Sequence, residues 1–439
     1  MRILPIGTST SRLAMLMIDT VAITIPVFKT YARLVDGSKT KWELIGDVND
    51  YGLVASSRHI IKRDGTEIAF EKYHPFESIP TSHTGIAFKF YHQAQNSLPY
   101  VYLNASIAKI LQGHNVCGNT DMIVGVCEIL GYFSEFAPEF IKYLDFANAQ
   151  ISRFDVTLPM QVANLFVAQK VREYIRNVDW GRLKNLNFNQ EGDFADTLNT
   201  VYFGAKDSKV GGFKVYCKGI ELFNKEIYPL EKKARKGNLH ALARLNILHN
   251  DLREYAKRSV RVECKIAREM IRRQDYPLNL WQFLEFQLFN QHIYQELFFI
   301  KTKDFFNALQ GMDMTTYNDA KVKQLLIDKL TTVTPTGKKS QTRALNAYRF
   351  YLDIKENGYY EVKADTHKAT FSRKVSDLIA CGFSRSYLQN LTKDNKELPV
   401  LRILNLDANL SAPNPSWYQT PATQYLNEFK RYFPINKVA

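Results

Sequence analysis

The stretch FKVYCKG (residues 213–219) decides the fold of this chain, because its residues alternate between two chemical types. Successive side chains of a β-strand point to opposite faces, so residues two apart share a surface. Lys214, Tyr216 and Lys218 would therefore share one face, while the residues between them are apolar. The pattern predicts a strand with one buried face and one face that presents a phenol between two cations. Taken alone, the stretch also fits a half-exposed edge strand.

Two more segments have the same design, ISRFDVTL (151–158) and SVRVECKIA (259–267). Their polar positions are Arg153, Asp155 and Thr157 in the first segment and Arg261, Glu263 and Lys265 in the second. If the apolar faces pack on helices, the polar faces form one surface on which Tyr216 meets two carboxylates and several cations. The alternative is a solvated sheet face with paired charges, which is common in antiparallel sheets.

The order of these patterns predicts an α+β protein. Strand and helix patterns alternate up to about residue 275, and long helical runs rich in Phe and Leu follow from about Asn279. We therefore expect an N-terminal extension (1–16), an antiparallel sheet with helices on one face (17–275), and a mainly helical domain (276–439). The chain is long enough for each domain to have its own core.

A weak internal repeat suggests that the sheet is built from two related halves, about 17–120 and 150–267. DTVAITIP resembles FDVTLP, and IAFKFY…YVYLNASIAKIL resembles VYFGAK…FKVYCKGIELF. Shared strand composition would also produce such similarity, so duplication and chance both remain open at this point.

Charge indicates a polyanionic partner. The formal net charge is +14, and between Lys206 and Arg273 there are 18 Lys and Arg residues against 8 Asp and Glu residues, a net +10 in 68 residues. The excess is thus concentrated around the opening stretch, which favours nucleic acid over a uniformly solvated surface. A membrane is disfavoured, because no apolar run reaches the roughly 18 residues of a membrane span. The 5 cysteines form no CxxC pair, which indicates a reducing compartment and argues against structural zinc.

Two carboxylates beside a phenol have a definite chemical use. Asp155 and Glu263 are candidate ligands of a hard cation, Mg²⁺ or Mn²⁺, which would leave positions for phosphate oxygens. A free tyrosine has a pKa near ~10, so reaching the phenolate at neutral pH costs roughly 4 kcal/mol. Lys214, Lys218, the metal or a nearby base would have to offset that cost. Attack of Tyr216 on a DNA phosphodiester would leave a covalent phosphotyrosine.

Several other residues have both a functional and a structural interpretation. Glu77 is a candidate third metal ligand or a loop-capping carboxylate, and Glu221 a general base or an acidic residue in the first turn of a helix. The candidate DNA-contacting residues are Arg153, Arg261, Lys265, Lys206, Ser208, His114 and Arg385. Ser208 and His114 also fit turns. Arg385 begins the second helix of a predicted helix-turn-helix (370–391), a pattern that plain helical bundles share.

The chain resembles the replication initiators of filamentous bacteriophages, the gene II endonuclease family. The segments that carry the resemblance are HPFESIPTSHTGIAFKFY (74–91), ASIAKILQGHNVCGNTD (105–121), ISRFD (151–155), VYCKGIEL (215–222), VRVECKI (260–266), PLNLW (277–281) and TPTGKKS (334–340). The similarity extends from about Met17 to the C-terminus. The better-known initiators of rolling-circle replication carry a His-hydrophobe-His metal pair, which this sequence lacks, so the relation to that fold stays open.

The resemblance implies a metal-dependent, site-specific endonuclease that nicks and rejoins the plus strand at a phage origin. It implies that Tyr216 is the nucleophile and that Asp155 and Glu263 are metal ligands. It also implies a host helicase and a host DNA polymerase as partners in the host bacterial cytoplasm. TPTGKKS lacks the first glycine of a phosphate-binding loop, which excludes ATP hydrolysis here. The helical domain would bind DNA or regulate the enzyme.

A non-catalytic DNA-binding regulator of replication is the alternative function. Such a protein would use the same basic region, but it would not need Tyr216, Asp155 and Glu263 on one face.

Overall fold

The computed structural model describes residues 16–61, 67–178, 199–204, 208–290, 292–309, 318–392 and 414–432. The predicted N-terminal extension lies outside this part of the chain, except for Leu16. The predicted α+β class is confirmed, because a large antiparallel sheet is followed by a mainly helical region.

Most of the strands lie in the first 267 residues. They are β1 (Met17–Pro26), β2 (Ala32–Leu34), β3 (Lys41–Leu44), β4 (Ser56–Ile61), β5 (Glu67–Tyr73), β6 (Glu77–Pro80), β7 (Gly85–Tyr91), β8 (Gln93–Gln95), β9 (Tyr100–Ser106), β10 (Gln150–Gln161), β11 (Thr200–Phe203), β12 (Phe213–Cys217), β13 (Ser259–Ala267), β14 (Thr332–Val333) and β15 (Lys339–Ser340). Eight of them form the main sheet in the order β11-β12-β13-β10-β1-β9-β7-β6.

The helices lie between and after these strands. In the first part of the chain they are Ile107–Gln112, Met122–Phe136, Leu165–Arg176, Lys218–Leu222, Tyr228–Ala234, Leu239–Ile247, Asn250–Lys257 and Arg268–Arg273. The later ones are Leu280–Phe289, Ile293–Leu309, Asp319–Leu330, Thr342–Asn357, Tyr359–Asp365, Lys368–Ala380, Arg385–Gln389 and Leu426–Phe429.

One face of the main sheet is apolar and packs on helices, as the alternation predicts. The ring of Phe88 on β7 lies 5.3 Å from that of Phe133 in the helix Met122–Phe136. The ring of Phe154 on β10 lies 5.5 Å from those of Phe283 and Tyr294, in the first two helices beyond residue 275. These helices therefore belong to the core of the sheet, although they follow the predicted domain boundary in the chain.

The opposite face of the sheet is polar, and its two parts differ in how deeply other segments of the chain bury them. Around β12 and β13 it is buried beneath the segment 113–118 and the helical insertion 218–257, which together form the cover of this end of the face. Across β9 and β7, and at Thr20 and Thr24 of β1 and Arg153 of β10, its side chains are only partly buried. The polar face therefore has a closed end and an accessible end.

The two halves of the sheet have the same topology. In the first half the order from the centre outward is β1, β9, β7, β6, and in the second half it is β10, β13, β12, β11. Each half thus places its first strand at the centre, next to its fourth, then its third and second. The match of DTVAITIP with FDVTLP pairs equivalent strands. The second match is displaced by one strand. It pairs β7 and β9 with β11 and β12, whereas the topology makes β7 and β9 equivalent to β12 and β13.

The C-terminal region contains the helix-turn-helix that the sequence predicts. Lys368–Ala380 is followed by a turn at Gly382 (φ 108°) and by Arg385–Gln389, whose N-cap is Ser384. The second helix is only five residues long and is mostly buried, and Ser386 accepts a hydrogen bond of 2.9 Å from the Tyr174 hydroxyl. This packing disfavours insertion of the second helix into a DNA groove.

In the part of the chain that the structure describes, helices long and apolar enough to span a bilayer are absent.

Candidate active site

Tyr216 and Glu263 form the centre of the site. Strands β12 and β13 pair so that Lys214 lies opposite Glu263 and Tyr216 lies opposite Arg261. The Tyr216 hydroxyl donates a hydrogen bond of 2.7 Å to Glu263 Oε2, and Lys214 Nζ lies 2.9 Å from Glu263 Oε1. Lys214 Nζ also lies 5.1 Å from the centre of the Tyr216 ring. Glu263 is therefore within reach of the proton that a general base would remove.

The surroundings keep Tyr216 protonated. Burial raises the pKa of Tyr216 well above its usual value, and the charge of Glu263 raises it further, whereas Arg261 opposes the shift. The side chain is 3% exposed. A nucleophilic role thus requires a base in contact with the hydroxyl rather than a free phenolate, and Glu263 makes that contact.

Arg261 places a fully buried guanidinium beside the phenol. The side chain is 0% exposed, and its Nη2 donates a hydrogen bond to the carbonyl oxygen of Val116. Its Nε and Nη1 have no hydrogen-bond partner among the described residues. An unpaired buried donor costs about 1–3 kcal/mol. Two oxygens of a phosphodiester would satisfy both donors, because the fork of a guanidinium matches that geometry.

Asp155 lies on the neighbouring strand β10, where its carboxylate interacts with other charged groups of the site. Its Oδ1 accepts a hydrogen bond of 2.8 Å from Arg153 Nε, and its Oδ2 pairs with Arg153 Nη2. Burial raises the pKa of Asp155 to about 6, against the effect of Arg153, and the charges of Glu263 and Asp19 raise it further. Three carboxylates therefore influence one another on this face.

Lys218 connects the end of β12 to the cover of the site. Its fully buried Nζ donates hydrogen bonds of 2.7 Å to Asn115 Oδ1 and 2.6 Å to Glu221 Oε2. Asn115 Nδ2 in turn donates to Asp19 at 3.0 Å. Burial lowers the pKa of Lys218, although Glu221 opposes that shift. Lys218 and Glu221 thus bind each other, and Glu263, not Glu221, contacts the phenol.

A segment near the C-terminus holds the cover from outside. The side chain of Asn414 exchanges two hydrogen bonds with the backbone of Gly118. The ring of Trp417 lies 5.1 Å from that of His249 and 6.3 Å from that of His114. The closed end of the polar face is therefore held by residues from three distant parts of the chain.

The structure brings most of the predicted site residues to this face. Tyr216, Lys214, Lys218, Asp155, Glu263, Arg153 and Arg261 lie there, and Lys265 lies directly opposite Asp155. Lys265 makes no ion pair within the described residues. The carbonyl of Ser208 accepts a hydrogen bond of 3.0 Å from the Gly211 N–H, as its turn interpretation expects. Lys206 lies outside the described residues.

Glu77 does not join the other two acidic residues. It pairs with Phe88 across β6 and β7, and Phe88 belongs to the apolar face of the sheet. Glu77 thus faces away from Asp155, and four strand spacings of about 4.8 Å separate their strands. Its carboxylate lies 3.7 Å from His74 Nε2 instead. Glu77 is therefore not among the residues near the site that could hold a metal.

His114 and Arg385 lie elsewhere than the DNA-contacting role requires. His114 is buried in the cover, where Gly113 ends the preceding helix with φ 79°. Burial lowers the pKa of His114 to about 3, so its ring is uncharged at neutral pH and does not attract phosphate. This arrangement agrees with its turn interpretation. Arg385 is partly exposed at the start of the buried second helix, far along the chain from the site.

A divalent cation is compatible with the oxygen atoms present. Among the residues that the structure describes, no three His, Cys, Asp or Glu side chains lie together as a metal site. Asp155 and Glu263 lie on paired strands, and Thr157, whose buried Oγ1 has no hydrogen-bond partner in the described chain, lies opposite Glu263. Two carboxylates and a hydroxyl fit Mg²⁺, which proteins hold through one or two carboxylates together with water and substrate phosphates.

Asp19 and Asn115 are the site residues that sequence reasoning missed. Asp19 is 5% exposed and accepts hydrogen bonds from Asn115 and from Ser106, the latter at 2.7 Å. Burial alone would raise its pKa, but Lys218 and Arg261 lower it below the usual value. A single acidic residue inside the otherwise apolar strand β1 was the available signal, because a buried charge requires partners.

These features define an α+β protein whose main sheet has two halves of the same topology, with a buried tyrosine in contact with a glutamate at one end of its polar face. The chain belongs to the family of phage replication-associated proteins encoded by gene II. The N-terminal model of that family matches residues 17–288, and its C-terminal model matches residues 333–424.

Named relatives support the same assignment. The replication-associated protein of this family from Enterobacteria phage M13 is 33% identical over 353 residues, which cover 79% of this chain and 84% of the relative. That of Salmonella phage IKe is 32% identical over 358 residues, 80% of this chain and 82% of the relative. No solved structure matches the chain.

Proposed function

We propose that the protein nicks and rejoins one strand of its phage DNA, with Tyr216 as the nucleophile and Glu263 as the general base. The observation that carries the proposal is the 2.7 Å hydrogen bond from the Tyr216 hydroxyl to Glu263 Oε2. Beside it lies the buried Arg261, whose Nε and Nη1 have no hydrogen-bond partner within the described residues. Membership in a family of phage replication proteins supports DNA as the substrate.

In the forward reaction the Tyr216 oxygen attacks the scissile phosphorus while its proton passes to Glu263. The new bond joins the tyrosine to the 5′-phosphate, and the bond from phosphorus to the 3′-oxygen breaks. That oxygen leaves as a 3′-hydroxyl after taking up a proton. Arg261 and Lys214 would offset the charge that develops on the phosphate oxygens, the most general source of rate enhancement in such reactions.

The reverse sequence joins strands. A 3′-hydroxyl attacks the phosphotyrosine and releases its proton to water, the bond from phosphorus to tyrosine breaks, and the Tyr216 oxygen recovers its proton from Glu263. Because the phosphotyrosine conserves the energy of the phosphodiester, joining needs no nucleotide cofactor. A circular strand would be released after one round of synthesis.

A Mg²⁺ or Mn²⁺ ion would be held by Asp155 and Glu263, with Thr157 as a neutral oxygen nearby. When bound, it would neutralise charge on the phosphate and act as a Lewis acid. The arginine and lysine side chains described above supply part of the same stabilisation without it.

Priming, unwinding and location follow from this chemistry as proposals. The 3′-hydroxyl released at the plus-strand origin would prime a host DNA polymerase, and a host helicase would unwind the duplex, in the host bacterial cytoplasm. A non-catalytic regulator is the weaker candidate, because it gives no reason for a buried phenol, carboxylate and guanidinium to be in contact.

The test is nicking of supercoiled DNA that carries the phage origin, with Mg²⁺ present. The wild-type protein should relax the plasmid and remain covalently attached to a 5′ end on a denaturing gel. Tyr216→Phe should do neither. Tyr202→Phe is the matched control, since Tyr202 lies opposite Lys214 on the adjacent strand. Relaxation by Tyr216→Phe would exclude Tyr216 as the nucleophile, and inactivity of the wild-type protein would favour the regulator.

A further inference from the structure

The accessible end of the polar face carries an aromatic row outside the catalytic group. Tyr91 on β7 and Tyr100 on β9 lie directly opposite each other, with ring centroids 4.9 Å apart and planes 25° apart. Tyr102 follows on the same face of β9. Phe76, in the turn before β6, is 61% exposed. The three tyrosines are partly exposed, so this row is not part of the core.

Cations are interleaved with these rings. Lys89 lies directly opposite Tyr102, and its Nζ is 4.6 Å from the centre of the Phe76 ring and 4.9 Å from that of Tyr91. The exposed Arg268 interacts electrostatically with Tyr100, and Arg153 interacts with Tyr102. Exposed rings alternating with cations are the arrangement by which proteins hold single-stranded nucleic acid, where bases stack on rings and cations follow the phosphates.

Between the aromatic rings and the catalytic residues, the polar face carries small side chains. Asn104 on β9 lies opposite two alanines, Ala22 on β1 and Ala87 on β7. Its buried Oδ1 accepts no hydrogen bond within the described residues. Small neighbours leave room above an amide that can pair with a base edge. Arg153, opposite Ala22, then leads to Asp155.

The row continues to the catalytic tyrosine on the same face. Direct strand pairing relates Tyr102 to Thr24 on β1, and Thr20 on β1 to Asp155 on β10. From β7 to β12 there are five strand spacings of about 4.8 Å, or about 24 Å across the sheet. Along the strands, Tyr102 is level with Gln150 of β10 and Tyr216 is level with Pro159, so nine residues, about 30 Å, separate the two levels. A strand of several nucleotides could therefore contact the aromatic row and follow the polar face to the edge of the segments that cover Tyr216.

We infer that Phe76, Lys89, Tyr91, Tyr100 and Tyr102 form a binding track for single-stranded DNA that leads to the catalytic tyrosine. The statement that the track leads to the catalytic residue rests on the proposed function. The statement that this surface binds single-stranded DNA rests only on the rings and cations described above. The track binds by stacking, so it tolerates different bases and prefers unpaired DNA, whose bases are free to stack.

The test measures binding of a fluorescent oligothymidylate of about 12 nucleotides, within the site sizes of known stacking surfaces. Tyr91→Leu and Tyr100→Leu should each weaken binding by about 5- to 100-fold. Lys89→Gln should reduce the log–log salt slope by about 0.7, the value for one phosphate contact on a single strand. Phe166→Leu is the matched control, because the exposed Phe166 also has a lysine, Lys170, 5.6 Å from its ring but lies on a helix.

The outcomes separate the track from the proposed function. Unchanged oligonucleotide binding in Tyr91→Leu and Tyr100→Leu, while the wild-type protein nicks DNA, overturns the track alone. Equal weakening for a duplex of the same length also overturns it, since a general electrostatic surface would behave so. The tyrosine variants could lose binding while the control keeps it, and the wild-type protein could still fail to nick DNA. That result would support the track and refute the proposed chemistry.

Discussion

Replacing Glu263 by glutamine tests the general base directly. The substitution keeps the size of the side chain and one acceptor oxygen for the Tyr216 hydroxyl, and it removes the charge, the basicity and the second acceptor oxygen, which pairs with Lys214. A phenol with a pKa near ~10 is ionised in about one molecule in 300 at about pH 7.5, which corresponds to about 3.4 kcal/mol. Burial raises the pKa of Tyr216 further, so the free phenolate is scarcer still. A positioned general base typically contributes about 10²- to 10⁴-fold. We therefore expect Glu263→Gln to slow nicking by about that factor.

The pH dependence of the rate gives a sharper result than the rate alone. With Glu263 as base, proton transfer occurs within the 2.7 Å hydrogen bond, so the rate of the wild-type enzyme should be nearly constant around neutral pH. In Glu263→Gln the reaction must use phenolate formed by hydroxide, so the rate should rise about tenfold per pH unit.

The assay is single-turnover cleavage of origin DNA over a range of pH, with unfolding curves to verify that each variant is folded. Glu254→Gln, on the exposed surface of the helix Asn250–Lys257, is the control, and its rate should match the wild type. A folded Glu263→Gln protein that nicks within about threefold of the wild type at every pH would refute the reasoning, because general-base loss costs far more.

Four further predictions follow from other contacts. Arg261→Lys should slow nicking by about 10²- to 10³-fold in the same assay, because an ammonium cannot replace two fixed N–H donors on a phosphate; a rate equal to the wild type would contradict the phosphate contact. Trp417→Ala should raise amide hydrogen exchange in residues 113–118, because the ring packs against His249 over this cover; Trp42→Ala, on the small sheet of β2, β3 and β8, should not. His114 is neutral when folded, with a pKa lowered to about 3 by burial, so the unfolded chain gains a proton first as pH falls below about 6.5. Stability is thus lost from about pH 6.5 downward, and His114→Gln should remove about 2 kcal/mol of the difference between about pH 6.5 and 5 in urea unfolding. Gly125→Ala should lower the free energy of unfolding by about 1–3 kcal/mol, because a Cβ there would lie 1.9 Å from Ile107 Cγ2; Ser134→Ala on the same helix should change it far less.

Much of the fold was predictable because alternation is a local property. The faces of β10, β12 and β13 follow from the period of two, so the sequence predicts that Tyr216, Asp155 and Glu263 share a surface. The structure confirms this in the strand pairing. The weak internal repeat pairs β1 with β10, and these two strands occupy equivalent positions at the centre of the sheet. The outer match was displaced by one strand, because short apolar strands resemble one another in composition.

The sequence by itself determined which residues share a side of the sheet, and the tertiary structure decided what they touch. Order and register depend on pairings between segments far apart in the chain, which no local period reports. Those pairings bring Glu263 to the Tyr216 hydroxyl, turn Glu77 to the opposite face and engage Lys218 with Asn115 and Glu221. Burial was also a tertiary outcome, because the cover over Arg261 comes from residues 113–118 and is held by residues after 413. Contact and burial set the pKa values on which the chemistry depends, so they had to come from the folded chain.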